Sequence, residues 1–96
     1  MNKNDIIRVL HHHKDLILEK YNAKIIGIFG SFARGEENEN SDVDLIFEFL
    51  DGATFFDLVE LKEFLETELN RTVDVVSNSA IKEELKEYIN NDLVAV

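Results

Sequence analysis

Apolar residues recur at three- and four-residue spacing from Ile6 to Tyr21, where Ile6, Leu10, Ile17 and Tyr21 form one stripe and Ile7 and Leu18 widen it. That spacing predicts an amphipathic helix, capped by Asn4 and ending near Asn22. The period then changes. Lys24 to Phe29 carries Ile25, Ile26 and Ile28 in a short β-branched run, predicting a buried strand that Gly30 closes. Ser31 to Arg34 reads as the first turn of a short helix. From Asp42 to Phe49 the chain alternates, with Val43, Leu45, Phe47 and Phe49 on one face and Asp42, Asp44, Ile46 and Glu48 on the other. A strand fits that period. Asp51-Gly52 predicts a turn, and Thr54 with Asp57 resembles a capping box for a helix carrying Phe55, Leu58, Leu61, Leu65 and Leu69 to a stop near Asn70. Thr72 to Ser77 predicts a third strand, with Val73 and Val75 on one face and Asp74 on the other. Ser79 is placed to cap a last helix through Ile81, Leu85, Tyr88 and Ile89, and Leu93 to Val96 to form an edge strand.

Helix and strand therefore alternate, which predicts an α/β fold with a small mixed sheet of three to four strands and helices packed against it. Proline is absent and only four glycines occur, so no linker or repeat divides the chain, and residues 1–96 read as one compact domain. Hydrophobic residues make up 45% and charged residues 31%, the balance of a globular protein. No cysteine is present, which excludes a disulfide framework and any thiolate metal site. Charged residues interrupt every apolar run, so neither a signal peptide nor a membrane anchor is expected, and the cytoplasm is the default location.

Charge narrows the partners. Ten Lys and Arg face twenty Asp and Glu, a net charge of −10. A sequence-independent nucleic-acid binder needs a positive surface, so extended nucleic-acid binding is not expected. Even two bound magnesium ions would leave about −6.

The chemistry lies between Gly30 and Asp44. Gly30-Ser31 allows backbone N–H groups to approach an anion closely, Ser31 adds a hydroxyl, and Arg34 offers a planar fork for phosphate. Asp42 and Asp44, two residues apart on a strand, project to one side about 7 Å apart along the backbone. Carboxylates that close repel unless a cation lies between them, and magnesium takes one or two carboxylates together with water and substrate phosphates. Asp74, out of step with Val73 and Val75, is placed to complete a three-carboxylate site for two metals. By contrast His11, His12 and His13 fan over roughly 200° of helix and cannot meet one metal. They read as a solvated face, with His13 falling within the apolar stripe. The loop Glu36-Glu37-Asn38-Glu39-Asn40 reads as a solvated connection, Glu48 as a rim residue, and the seven phenylalanines mainly as core.

Gly30-Ser31-Phe32-Ala33-Arg34-Gly35 followed by Ser41-Asp42-Val43-Asp44-Leu45 resembles the signature of the DNA polymerase beta nucleotidyltransferase superfamily, in its minimal nucleotidyltransferase (MNT) branch. The resemblance implies that Asp42, Asp44 and Asp74 ligate two magnesium ions and act catalytically. It implies that Gly30 and Ser31 hold the nucleoside triphosphate, beside which Arg34 and Ser41 are taken as further binding residues, and that AMP passes from ATP to an acceptor hydroxyl. MNT proteins are similar to the antitoxin half of HEPN/MNT toxin–antitoxin pairs, which implies a tyrosine of a HEPN-type ribonuclease as acceptor and a hetero-oligomer as the working form. Two alternatives stand beside this one: transfer to a small hydroxyl-bearing molecule of the aminoglycoside kind, and a non-catalytic antitoxin that neutralises its partner by contact.

Overall fold

The N-terminal stripe folds as two helices, α1 (Lys3–His12) and α2 (Lys14–Tyr21), in a computed structural model that describes residues 1–96. They part at His13, whose backbone sits at φ −102° and ψ 9°. Its ring packs edge-on to Phe64 with centroids 5.1 Å apart, and its Nε2 lies 3.3 Å from Glu68. The cap of α1 is Asn2, in place of the expected Asn4. The Asn2 side chain accepts from the Asp5 N–H at 3.1 Å, and the Asp5 carboxylate accepts from the Asn2 N–H at 2.9 Å. This reciprocal pair needs an acceptor three residues on, where Asn2 finds Asp5 and Asn4 finds only Ile7.

The remaining elements are β1 (Ala23–Phe29), α3 (Gly30–Arg34), β2 (Val43–Phe49), α4 (Phe55–Leu69), β3 (Val73–Ser77), a 3₁₀ turn (Asn78–Ala80), α5 (Glu83–Asp92) and β4 (Val94–Ala95). Helices α2 and α4 both end on an asparagine in the left-handed region, Asn22 at φ 53° and Asn70 at φ 52°. The capping box of Thr54 and Asp57 forms as expected. The sheet order is β3-β2-β1-β4, with β2 and β3 parallel and the other pairs antiparallel, so the fold is the expected α/β domain on a four-stranded mixed sheet. Strand β1 bulges between Ile25 and Gly27. A Cβ at Gly27 would lie 2.5 Å from the Val94 carbonyl oxygen, so glycine is what lets β4 close against β1.

One core joins Ile6, Leu10, Ile17 and Tyr21 of the N-terminal helices, Leu61, Leu65 and Leu69 of α4, and the apolar faces of the strands, including Val43, Leu45, Phe47, Val73 and Val75. Ile46 is buried outside this core, on the strand face it shares with Asp44, where the 78–80 turn lies against β2. Replacing Leu65, which is fully buried, with alanine is expected to cost about 2 to 5 kcal/mol, a large share of a small domain's stability. A urea-unfolding midpoint shift equivalent to less than about 1 kcal/mol would show that the α4–sheet contact is not the principal core.

Two further expectations are corrected. Ser79 caps nothing: it sits inside the 3₁₀ turn, and α5 begins later, at Glu83, behind Lys82. No residue of α5 is buried, and Leu85 and Tyr88 are exposed, because the helix meets the domain along a narrow line near α3 and β1. Phe55 and Phe56 open α4 one turn ahead of the region where it crosses the sheet and are about three-quarters exposed, so neither belongs to the core. No helix is long and apolar enough to cross a membrane.

Candidate active site

Asp44 and Asp74 are register partners on the parallel strands β2 and β3, so their side chains rise from the same sheet face on adjacent strands about 4.8 Å apart. Asp42 stands one residue before β2, two residues from Asp44 and exposed. None of the three is neutralised by an ion pair. Partial burial, then the charges of Asp74 and Asp42, push the Asp44 carboxyl up to about 6, against a smaller opposing pull from Arg34. The electrostatics thus show three acids crowding one spot, with a guanidinium nearby.

The Gly30 turn arrives there because Phe29, the last residue of β1, pairs with Asp44. Gly30 follows at φ 74°, a conformation side chains disfavour, and a Cβ on it would lie 2.2 Å from Asp44 Oδ2. Glycine is therefore required twice, for the backbone angle and for the approach of the carboxylate. The adjoining Ser31 is half-buried, and no side chain caps the start of α3.

The other residues singled out from the sequence are held by neighbours. Arg34 donates through Nε to Glu36 at 2.9 Å and through Nη1 to Asp92 at 3.0 Å, which hold its pKa above the ordinary guanidinium value. The Ser41 hydroxyl accepts from the Asn38 N–H at 2.9 Å and so closes the 38–41 turn. A residue that sequence patterning passed over enters here. Arg71 Nη1 donates to the carbonyls of Ser41 (3.0 Å), Asn38 (3.3 Å) and Glu39 (3.4 Å), and its guanidinium lies over the Phe32 ring at 5.2 Å. A basic residue two positions before β3, in a chain this acidic, is the only sequence signal that could have drawn attention to it.

The donor set suits a hard divalent cation: only carboxylate oxygens, from two adjacent strands and the residue leading into one of them, with Asp44 partly desolvated beside the other two charges. As they stand, no three acidic or histidine side chains converge into a closed metal cage. The two surface depressions lie elsewhere. The larger, about 730 Å³, is bordered by Arg8, His11, His12, His13 and Glu68, and the smaller, about 450 Å³, by Lys20, Tyr21 and α4. Neither includes any of the three aspartates. The acid cluster and the concave surface of the domain therefore do not coincide.

A glycine turn packed directly onto one of three clustered carboxylates, at one end of a small mixed sheet, is the arrangement expected of a nucleotidyl-transfer type of α/β protein. The comparisons agree. The model of the nucleotidyltransferase domain family matches residues 10–96, and the chain belongs to that family as one of its minimal members and is a nucleotidyltransferase. It is similar to the protein adenylyltransferase MntA of Thermococcus cleftensis, 35% identical over 92 residues, which cover 96% of this chain and 93% of that one. It is also similar to a solved structure described as a "putative minimal nucleotidyltransferase", with a TM-score of 0.82, 31% identity, and coverage of 100% of this chain and 97% of that one. A further solved structure, tri-AMPylated Shewanella oneidensis HEPN toxin in complex with MNT antitoxin, shares the fold at a TM-score of 0.62. It is 21% identical and covers 98% of this chain and 67% of that one.

Proposed function

We propose that residues 1–96 act as one minimal domain that transfers AMP from ATP to a hydroxyl of a HEPN-type toxin, most simply a tyrosine, and thereby serve as its antitoxin. The observation that carries this reading is the close approach of Gly30 to the Asp44 carboxylate, which brings the glycine turn and the acid cluster to one point. The relative named a protein adenylyltransferase supports the donor, and the AMPylated HEPN toxin with its MNT antitoxin supports the partner.

In the reaction the acceptor hydroxyl releases its proton to solvent as its oxygen bonds to the α-phosphorus, the bond to the bridging oxygen breaks, and pyrophosphate leaves. Asp42, Asp44 and Asp74 would hold magnesium, which when bound supplies charge neutralisation on the phosphates and a more acidic acceptor hydroxyl. Gly30 admits the triphosphate close to the backbone, and Ser31 offers a hydroxyl to it. Ser41 holds the loop that delivers Asp42. Arg34 takes the phosphate by exchanging Glu36 or Asp92 for it, trading one charge-assisted pair for another. Asp44, which ionises only near 6, must release its proton before the cation can bind, so activity falls as pH drops below about that value.

Incubation with labelled ATP, magnesium and a HEPN-type partner is expected to label the partner on tyrosine and to stop when magnesium is chelated. Absence of label with every nucleoside triphosphate, while the two proteins still associate and the toxin is silenced, would replace this reading with neutralisation by contact.

A further inference from the structure

Asp42 lies outside the β2 ladder, on the short stretch between a solvent-exposed acidic loop and the first strand residue. Its position depends on the two peptide groups that flank it. The carbonyl on its N-terminal side, of Ser41, accepts from Arg71 Nη1 at 3.0 Å. The N–H on its C-terminal side, of Val43, donates to the Thr72 carbonyl at 2.9 Å. Two consecutive residues thus grip the peptides on either side of the aspartate. Two residues further on, Asp74 stands in register with Asp44.

The Arg71 side chain does more than mirror a strand bond. One nitrogen gathers the carbonyls of Asn38, Glu39 and Ser41, which turns the loop around the cation. Three carbonyl dipoles aimed at one guanidinium form a charge-assisted set, and Arg71 forms no ion pair with a carboxylate that would compete for it. The same guanidinium lies over Phe32, two residues beyond Gly30 and fully buried. Arg71 therefore touches both arms of the site: the loop that delivers Asp42 and the short helix α3 that Gly30 and Ser31 open.

We propose that Arg71 is a positioning residue for nucleotide transfer, fixing Asp42 relative to Asp44 and the Gly30 turn so that the carboxylates meet a divalent cation without first ordering the loop. Arg71 faces backbone and an aromatic ring, so it acts through Asp42 and touches neither substrate nor metal. Lysine is a poor substitute, since its ammonium lacks the planar face that lies over Phe32. This inference rests on the reading of the three aspartates as a cation site.

Manganese titration of the full chain with a non-hydrolysable ATP analogue, followed by electron paramagnetic resonance, separates the two ideas. Arg71→Met is expected to weaken manganese binding roughly 10- to 100-fold in protein that remains folded at the assay temperature. Amide exchange at residues 39–43 should speed up without a matching change in the α4 core. Because Arg71 acts through Asp42, adding Arg71→Met to Asp42→Asn should weaken binding little beyond Asp42→Asn alone. A folded Arg71→Met protein whose affinity stays within about twofold of wild type, or full additivity in the double variant, overturns the inference while leaving the cation site intact. Should Arg71→Met not fold, Arg71→Lys replaces it, and wild-type manganese affinity in that variant overturns the inference equally. Wild-type protein that binds no manganese with nucleotide overturns the cation site itself, and this inference with it.

Discussion

Asp44→Asn is expected to lower nucleotide transfer by at least about 10²-fold and, in metal-free buffer at neutral pH, to raise the melting temperature. The loss follows from the removal of the carboxylate at the meeting point of β2, β3 and the Gly30 turn. The gain follows from the same crowding. An unfolded chain releases this proton near 3.8, the native chain near 6. Between those values the native state holds more protons, so stability falls as pH rises through the window and stays lower above it. The full difference corresponds to about 3 kcal/mol, which screening at this half-exposed carboxylate reduces to about 1 to 2 kcal/mol. Asparagine has nearly the same shape and no charge to hold there, so the variant escapes the penalty and melts several degrees higher. The gap should narrow as pH is lowered from about 8 towards about 5. Magnesium with nucleotide should reverse the order, because a ligand that binds only the native wild type stabilises it by mass action. Thermal melts of both proteins across pH, with and without magnesium and nucleotide, read all of this. A variant no more stable than wild type at pH 8 would show that the three acids are already relaxed in water.

The acid site was legible because its parts obey short-range rules. Alternation along β2 set Asp42 and Asp44 on one face, the valines of β3 singled out Asp74, and Gly30 sat where a strand had to stop. The capping box at Thr54 and the helix ends at Asn22 and Asn70 were visible for the same reason, since each rule spans only a few residues. What the sequence concealed depends on contacts distant along the chain or on backbone groups without a signature. The break at His13 answers to Phe64 and Glu68, half the chain away. Ile46 shares the face of the aspartates, and its burial depends on elements distant in sequence, such as the 78–80 turn, that pack against β2. Phe55 and Phe56 obey helical spacing yet point into solvent, because periodicity says which residues share a face and not how far the neighbouring layer extends. Arg71 was invisible because its partners are carbonyls, which every residue carries. The pattern places the three acids and the glycine turn, while the contacts that hold them there are written in three dimensions.

Gly30→Ala should be nearly as damaging to transfer as loss of the carboxylate, although it deletes no polar group. The new methyl would lie 2.2 Å from Asp44 Oδ2, closer than atoms can approach, and the residue would still need φ near 74°. The two penalties fall differently. Left-handed backbone in alanine costs about 1 to 2 kcal/mol and lowers stability directly. The collision is relieved by swinging the short Asp44 side chain away, which costs little stability and removes the carboxylate from its place. The expected outcome is a folded protein, destabilised by about 1 to 2 kcal/mol, with transfer down at least about 10²-fold. Combining the change with Asp44→Ala separates the terms, because that background has no carboxylate to displace while the backbone strain remains. There, Gly30→Ala should cost stability as before and have no further effect on residual transfer. Gly30→Ala alone retaining activity within about twofold would mean that the turn does not fix the carboxylate, and the contact on which the proposed function rests would lose its role.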